Sequence, residues 1–355
     1  MSVIQSTGYP IYFQNPGYKA LGDYLRNNRF SKIIILVDAN TKRDCLPLFK
    51  QKFGLEFAYE TIVLPPGEEF KNITTCVEIW EELSRINADR KSLVINLGGG
   101  VITDMGGFIA SCFKRGIEFV NIPTTLLSMV DASVGGKTGI DLGTLKNQIG
   151  LFSNPAMVII DYDYLLTVPK RELKSGLAEI IKYGYTFDKT LWETIHRFED
   201  IDLNEVNELI YKSIDIKNEV VKTDMKETGL RKTLNFGHTI GHAVESYFLD
   251  SKEKENLTHG EAIAVGMVIE AYFSYKLNGF PLVKVDELKS FVKNFYGKVE
   301  MSKNDITSII PLMMYDKKNV SGQVNFVLLK EMENCIWDIN VHEDLLLEGF
   351  AYYAD

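Results

Sequence analysis

The chain has 355 residues, 45% of them hydrophobic and 25% charged, with a formal net charge of −9. The length suggests two domains, and the composition is that of a soluble globular protein. The acidic balance disfavours nucleic acid or an anionic membrane as partner, so an anionic ligand must be held by a local cluster of Lys and Arg.

In chain order, the first half alternates strand and helix. Strands are expected over residues 33–37, 61–64, 93–97, 119–122 and 157–160, where β-branched runs end in turn residues. Helical segments fall between them at 74–86 and 101–113. This rhythm predicts an α/β domain with a parallel sheet over residues 1–165, with ligands outside the carboxyl ends of its strands. From about Pro169 the helical period dominates, over 170–185, 204–225, 234–248, 260–277 and 283–295, with one β pair at 324–329 and 335–339. Residues 166–355 thus read as a second, mostly α-helical domain, with the active site expected in the cleft between the two. The polar SKEKEN at 251–256 reads as an exposed loop.

No apolar run reaches the roughly 18 residues of a membrane span. The opening MSVIQSTGYPIYF lacks the basic stretch and apolar core of a signal peptide. Cys45, Cys76, Cys112 and Cys335 show no CxxC spacing, which fits reduced thiols in a cytoplasm and argues against a cysteine metal site.

Three stretches carry candidate chemistry. Strand 93–97 runs directly into Gly98-Gly99-Gly100 and a helix. Such a turn lets backbone N–H groups and a helix N-terminus cradle a diphosphate. It is not the G-x-G-x-x-G fingerprint, and a plain tight turn uses the same residues. Asp104, placed in the first helical turn, either complements the helix dipole or contacts a ribose. Asp38 at a strand end suits a ribose hydroxyl or a turn.

Residues 128–150 are Gly-rich and carry Asp131, Lys137, Lys146 and Asn147. Lysines in such a loop suit a phosphate or carboxylate ligand, against the plainer reading of a solvated loop. Glu179 and Lys182 stand i, i+3 on one helix face. They form either a surface ion pair or, beside Leu177, Ile180 and Ile181, a partly buried pair whose carboxylate needs a further partner such as a metal.

His238 and His242 stand i, i+4, and His259 follows, so three of the five histidines cluster here. Imidazole is a common zinc ligand, yet such a pair also arises by chance on a polar face.

Together and in this order, GGGVITDMGGFIAS, RGIEFVNIPTTLLSMVDASVGGKTG, GLAEIIKYG, GLRKTLNFGHTIGHAVE, HGEAIAVGM and DKKN resemble the 3-dehydroquinate synthase family, one of the sugar-phosphate cyclases. The resemblance spans residues 38–319. It implies an NAD-bound α/β domain, a helical metal domain and a homodimer. The implied reaction converts 3-deoxy-D-arabino-heptulosonate 7-phosphate to 3-dehydroquinate and phosphate, in the shikimate pathway of aromatic biosynthesis.

The resemblance makes Glu179, His238 and His259 ligands of Zn2+ or Co2+, and leaves His242 as a site histidine for hydrogen bonding or proton transfer. Substrate contacts are implied at Arg115, Asp131, Lys137, Asn147, Lys182, Lys217, Arg231, Asn235 and one of Lys317 and Lys318. Of these, Lys137, Lys182, Lys217, Arg231 and Asn235 are expected to be catalytic, with His242. NAD contacts are implied at Asp38, Asn40, Glu68, Lys71, Gly99, Gly100, Asp104, Thr124, Thr125, Lys146 and Thr167. After Gly139 the chain reads IDLGTLKNQIG, with Asp141 where the family has Asn and Leu145 where it has Gly. That puts the local loop shape in question but keeps the Lys146-Asn147 pair.

The implied chemistry is a redox cycle without net oxidation. NAD+ takes hydride from C5, phosphate leaves by β-elimination and takes the proton itself, hydride returns, and an intramolecular aldol closes the ring. A His2Glu zinc keeps open positions and polarises hydroxyls, while Lys and Arg neutralise carboxylate and phosphate. Rival readings are an NAD- and metal-dependent polyol dehydrogenase of the same architecture and a different sugar-phosphate cyclase. A zinc peptidase finds no HExxH, because position 239 is Thr.

Overall fold

The computed structural model describes residues 3–54, 57–143, 145–198, 200–315 and 324–355. The chain divides into two compact units, Met1–Leu173 with Lys217–Lys222, and Lys174–Ile216 with Thr223–Asp355.

The first unit runs β1 (Val3–Gln5), β2 (Pro10–Phe13), α1 (Asn15–Asn27), β3 (Ile33–Asp38), α2 (Ala39–Asp44), α3 (Leu46–Phe53), β4 (Glu60–Leu64), α4 (Ile73–Arg85), β5 (Leu93–Gly98), α5 (Gly100–Cys112) and β6 (Glu118–Pro123). A hairpin of β7 (Lys137–Leu142) and β8 (Leu145–Phe152) follows, then β9 (Val158–Ile160). Seven strands form one sheet in the order β1-β2-β9-β6-β5-β3-β4. Every pairing in it is parallel except β1 with β2.

β3 and β5 read IIILVD and LVINLG, the near-continuous apolar runs of strands covered on both faces, and all of β5 is buried. Ile34, Leu36, Val94, Met105 and Ile109 belong to the core that α4 and α5 build on this sheet. The chain leaves β3 toward β4 on one side, then returns to β5 on the other and continues outward to β6. The carboxyl ends of β3 and β5 therefore form the switch point where such sheets bind ligands. Leu36 pairs with Asn96, which sets Asp38 level with Gly98.

This unit departs from the sequence expectation at its start and at residues 128–150. β1, β2 and α1 were not anticipated. The two strands are only three and four residues long, too short to show a period. α1 does carry a start signal, a proline in its first turn. Residues 128–150 are not a loop. They form a π-helical turn at Ser128–Ala132 and the β7–β8 hairpin, in which Gly139 faces Gly150 across the ladder. The glycines there permit close backbone approach rather than a flexible connection.

The second unit takes up most of α6 (Lys170–Thr186), then α7 (Lys189–Ile195), α8 (Leu203–Thr223) apart from Lys217–Lys222, α9 (His238–Asp250), α10 (His259–Asn278), α11 (Leu282–Phe295) and α12 (Lys303–Leu312). The hairpin β10 (Asn325–Glu331) and β11 (Asn334–Asn340) and then α13 (Glu343–Ala354) complete it. α10 is the central element, buried without interruption from Ala262 to Ala271. The helix expected over 234–248 starts only at His238. Leu230–Asn235 forms a 3₁₀ helix, and Gly237 breaks the chain with φ +80°. The segment 251–256 is an exposed loop, tied down where Lys254 meets Asp305 at 2.7 Å.

Candidate active site

In the second unit, three helices meet through residues that have no side chain. A Cβ on Gly266 of α10 would lie 2.0 Å from the carbonyl oxygen of Gly237, just before α9. A Cβ on Gly260 would lie 2.1 Å from the carbonyl oxygen of Ser175 on α6, and the Gly260 amide donates to Ser175 Oγ at 2.9 Å. These approaches bring the first residue of α9, His238, and the first residue of α10, His259, to Glu179 on α6. α9 has no side-chain N-cap of its own. Buried Glu270 of α10 supplies one, accepting from the amides of Gly237 at 2.7 Å and Ile240 at 3.3 Å.

Glu179 Oε1 lies 3.4 Å from His238 Nε2 and 3.5 Å from His259 Nε2. That oxygen is buried and has no hydrogen-bond partner among the described residues. The edge of a tetrahedron with metal–ligand bonds near 2.0–2.1 Å is about 3.3–3.4 Å, so the spacing suits a shared zinc-like ion. Both imidazoles are turned for it. His238 Nδ1 lies 3.1 Å from the Phe236 carbonyl oxygen, and His259 Nδ1 lies 3.0 Å from Glu245 Oε2. Each Nδ1–H is donated away, which leaves Nε2 as the ligand atom. His242 is adjacent, its ring 5.1 Å from that of His238 and 5.8 Å from that of His259. Potential ligand atoms of His238, His242 and His259 fall within 4.8 Å of one another. Two donor sets therefore share His238 and His259, one completed by Glu179 and one by His242.

Lys182 is buried beside Glu179 and donates to its Oε2. Burial opposes the charge on Glu179, but the Lys182 ammonium and the two imidazoles outweigh it and hold the carboxyl well below the usual range. Burial, with Lys182 adding to it, lowers the pKa of His238. Burial also disfavours a charge on His259, yet Glu245 and Glu179 push its pKa up to about 10. The Glu179–Lys182 pair thus belongs to the interior, not to the surface.

Arg231 and Asn235 are buried in the turn before α9. Arg231 Nη1 donates to the Met225 carbonyl oxygen at 2.8 Å, and Asn235 Nδ2 donates to Glu227 Oε1 at 2.5 Å. The turn is folded by Asp224, which accepts the amides of Thr228, Gly229 and Arg231.

In the first unit the structure gathers five of the expected residues into one polar cluster. Lys71 Nζ donates to Asp104 Oδ2 at 2.7 Å and to Asn147 Oδ1 at 2.8 Å. Lys146 Nζ reaches Glu68 Oε1 at 2.9 Å and Asp141 Oδ2 at 3.5 Å. Burial works against the charge on Lys71, but Asp104, Glu68 and Asp141 raise its pKa. Asp141, the residue that departs from the family pattern, also accepts the Asn147 amide at 2.7 Å. This holds Asn147 in a left-handed conformation, φ +51°. Asp104 is not in the first turn of its helix, because α5 begins at Gly100 and places it one turn further on. There it is a counter-ion to Lys71 and not a partner of the helix dipole.

At the strand ends, Asp38 caps α2 by accepting the Thr41 amide at 2.7 Å. Gly99 lies against Thr125, and the Thr124 amide donates to the Gly98 carbonyl oxygen at 2.9 Å. Burial pushes the pKa of the Cys45 thiol up to about 11, against the opposing effect of the Thr124 and Thr167 side chains. Asn40 is exposed beside Asp38 on α2. Lys217 Nζ meets Asp131 Oδ1 at 2.6 Å. Lys137 is half-buried at the start of β7. Arg115 is exposed, with φ +70°. Lys317 and Lys318 lie outside the described residues.

Sequence reasoning missed Glu245, Glu270, Glu227 and the part played by Asp141. Glu245 lies inside the HTIGHAVE motif, and its position on the helix that starts at His238 was the available signal. Glu270 had none, because its partners are backbone amides of another helix.

Two family models match in succession, "3-dehydroquinate synthase N-terminal" over residues 61–175 and "3-dehydroquinate synthase C-terminal" over residues 176–319. A 3-dehydroquinate synthase of Parabacteroides distasonis is 41% identical over 337 residues, 94% of this chain and 95% of that one. One of Leptospira interrogans is 42% identical over 293 residues, 81% of this chain and 80% of that one. Among solved structures, a 2-deoxy-scyllo-inosose synthase complexed with carbaglucose-6-phosphate, NAD+ and Co2+ has a TM-score of 0.84 at 22% identity over 99% of both chains. A 2-epi-5-epi-valiolone synthase of Streptomyces hygroscopicus with NAD+ and Zn2+ has 0.84 at 22%, over 100% of this chain and 99% of that one. A glycerol dehydrogenase of Schizosaccharomyces pombe is further away, at 0.65 and 14%, over 99% of this chain and 90% of that one. At such identities the structural likeness speaks for the fold alone.

Proposed function

Because the chain belongs to the 3-dehydroquinate synthase family, a group of lyases acting on phosphates, we propose that it converts 3-deoxy-D-arabino-heptulosonate 7-phosphate to 3-dehydroquinate and phosphate with NAD and a divalent metal, Zn2+ or Co2+. The observation that carries the metal reading is the buried, unpartnered Glu179 Oε1 facing two imidazole Nε2 atoms at zinc-like spacing. That spacing favours Glu179, His238 and His259 as ligands, with His242 beside them to hydrogen-bond or relay a proton at the substrate. When bound, the metal supplies Lewis acidity to substrate hydroxyls and the nicotinamide a reversible hydride acceptor.

Every other task falls to side chains. Lys182, Arg231 and Asn235 neutralise and orient a carboxylate- and phosphate-bearing substrate, together with Lys137, Lys217, Asp131, Asn147, Arg115 and the Lys317-Lys318 pair. Glu68, Lys71, Asp104, Lys146, Asp38, Asn40, Gly99, Gly100, Thr124, Thr125 and Thr167 line the nucleotide site, supported by the switch point of the sheet. The solved relatives with NAD+ and Co2+ or Zn2+ support the cofactor assignment. We assign the first unit to the nucleotide and the second to the metal, and expect a cytoplasmic homodimer. Among the described residues no helix is long and apolar enough to cross a membrane. Sedimentation of the pure protein tests the dimer.

The deciding experiment incubates the pure protein with the heptulosonate phosphate, catalytic NAD+ and Zn2+. Inorganic phosphate should appear without net NADH. A chelator should stop the reaction, and added Zn2+ or Co2+ should restart it. NADH accumulating in proportion to substrate would instead identify a polyol dehydrogenase. Phosphate release only from a different sugar phosphate would identify another cyclase.

A further inference from the structure

His259 is held from both sides of its ring. Nε2 lies 3.5 Å from the unpartnered Glu179 Oε1, and Nδ1 lies 3.0 Å from Glu245 Oε2. Glu245 is 8% exposed and sits on α9, the helix that begins with His238. A carboxylate can only accept, so it draws the imidazole proton onto Nδ1 and leaves the lone pair on Nε2. The two imidazoles facing Glu179 are oriented by different means. His238 uses the carbonyl of Phe236, a neutral backbone group, whereas His259 uses a charged side chain. A backbone carbonyl cannot be removed by substitution, but a carboxylate can, and its charge makes the imidazole a stronger donor to a cation.

We propose that Glu245 is a positioning residue of the metal centre, which selects the tautomer of His259 and fixes its ring so that Nε2 points at the ion held with Glu179 and His238. The inference rests on the metal reading above. It adds a geometric role for the link between α9 and α10. Glu245 ties the first residue of α10 to the helix that carries His238, so the two imidazoles hold their spacing as one unit. In its absence His259 could turn, or present Nδ1 instead, and the Glu179–His259 edge would no longer be set.

The test compares full-length wild-type, Glu245→Gln and Glu245→Ala proteins by zinc competition against a chromophoric chelator, with circular dichroism as the check on folding. Both variants should keep the wild-type spectrum and bind zinc roughly tenfold to a hundredfold more weakly. Wild-type zinc affinity in a folded Glu245→Gln protein overturns the inference and leaves the metal reading standing. Wild-type protein that takes up no zinc overturns both. Should the variants unfold, zinc-loaded wild-type protein labelled with 15N-histidine decides. A His259 that keeps its proton on Nδ1 and binds zinc through Nε2 supports the role, and zinc on Nδ1 refutes it.

Discussion

Replacing Gly260 with Ala adds a single methyl group where α10 starts against α6. The new Cβ would lie 2.1 Å from the Ser175 carbonyl oxygen and 2.4 Å from Ser175 Cα. These are backbone atoms, so no rotamer change relieves the clash. To reach ordinary contact near 3.5 Å, the start of α10 must retreat by about 1.4 Å. The retreat strains the hydrogen bond from the Gly260 amide to Ser175 Oγ, now 2.9 Å. Overpacking costs about 1–3 kcal/mol and the lost hydrogen bond about 1 kcal/mol. The melting temperature should fall by several degrees, at roughly 2–4 °C per kcal/mol for a unit of this size.

The effect on the metal centre should be larger than the effect on the fold. His259 precedes Gly260, so its Nε2 would move from 3.5 Å to about 4.9 Å from Glu179 Oε1, well past the roughly 3.3–3.4 Å edge of a zinc tetrahedron. Chelator competition should then show zinc affinity weakened by about a hundredfold or more, beyond the range for outer-shell changes. Wild-type zinc affinity and melting temperature in Gly260→Ala would show that the α6–α10 contact does not assemble the site.

The remaining predictions concern individual side chains. His259→Ala should abolish zinc uptake and turnover while leaving NAD+ affinity near wild type; unchanged zinc content in a dialysed sample would remove it from the ligand set. Lys182→Ala should slow turnover by more than tenfold while the protein still folds, if the ammonium beside Glu179 neutralises substrate anions as proposed; steady-state kinetics near wild type would end that role. Asp104→Asn leaves the buried Lys71 without its closest carboxylate, so stability should fall by about 3–5 kcal/mol even without nucleotide; melts that differ only when NAD+ is present would assign Asp104 to the cofactor alone. Burial opposes the charge on Asp305, but Lys254, Tyr247 and Ser302 outweigh it and hold its carboxyl below the usual range. The folded form therefore binds its proton more weakly than the unfolded chain does. Its contribution is complete above about pH 5 and declines as pH falls through about 4. The stability gap between wild type and Asp305→Asn should shrink over that interval, and a gap independent of pH would contradict the assignment.

Much of the frame was legible because it is locally encoded. β3, β5 and β6 are buried on both faces and so read as mostly apolar runs, interrupted within β5 and β6 only by Asn96 and Asn121. α10 and α11 came within a residue of their expected starts, since Thr258 caps the first and Pro281 precedes the second. Elements whose logic is not periodic were missed. The β7–β8 hairpin looked like a loop because its glycines serve close backbone approach, which composition alone does not distinguish from flexibility. α9 was started early because the 3₁₀ turn Leu230–Asn235 has the same apolar spacing as a helix until Gly237 interrupts it.

By itself, the order of residue types determined an α/β half followed by a helical half, a family of catalysts, and a short set of acids, lysines and histidines from which a site could be built. Periodicity reports which face of a segment is buried, and motif order reports kinship. Only packing decided how that set is wired. Asp104 turned toward Lys71, Glu179 toward His238 and His259, Glu245 behind His259, and Glu270 over the start of α9. These partners stand 14 to 80 residues apart in the chain, at distances where local preference carries no information, and most were brought together by helices close enough to touch at glycine.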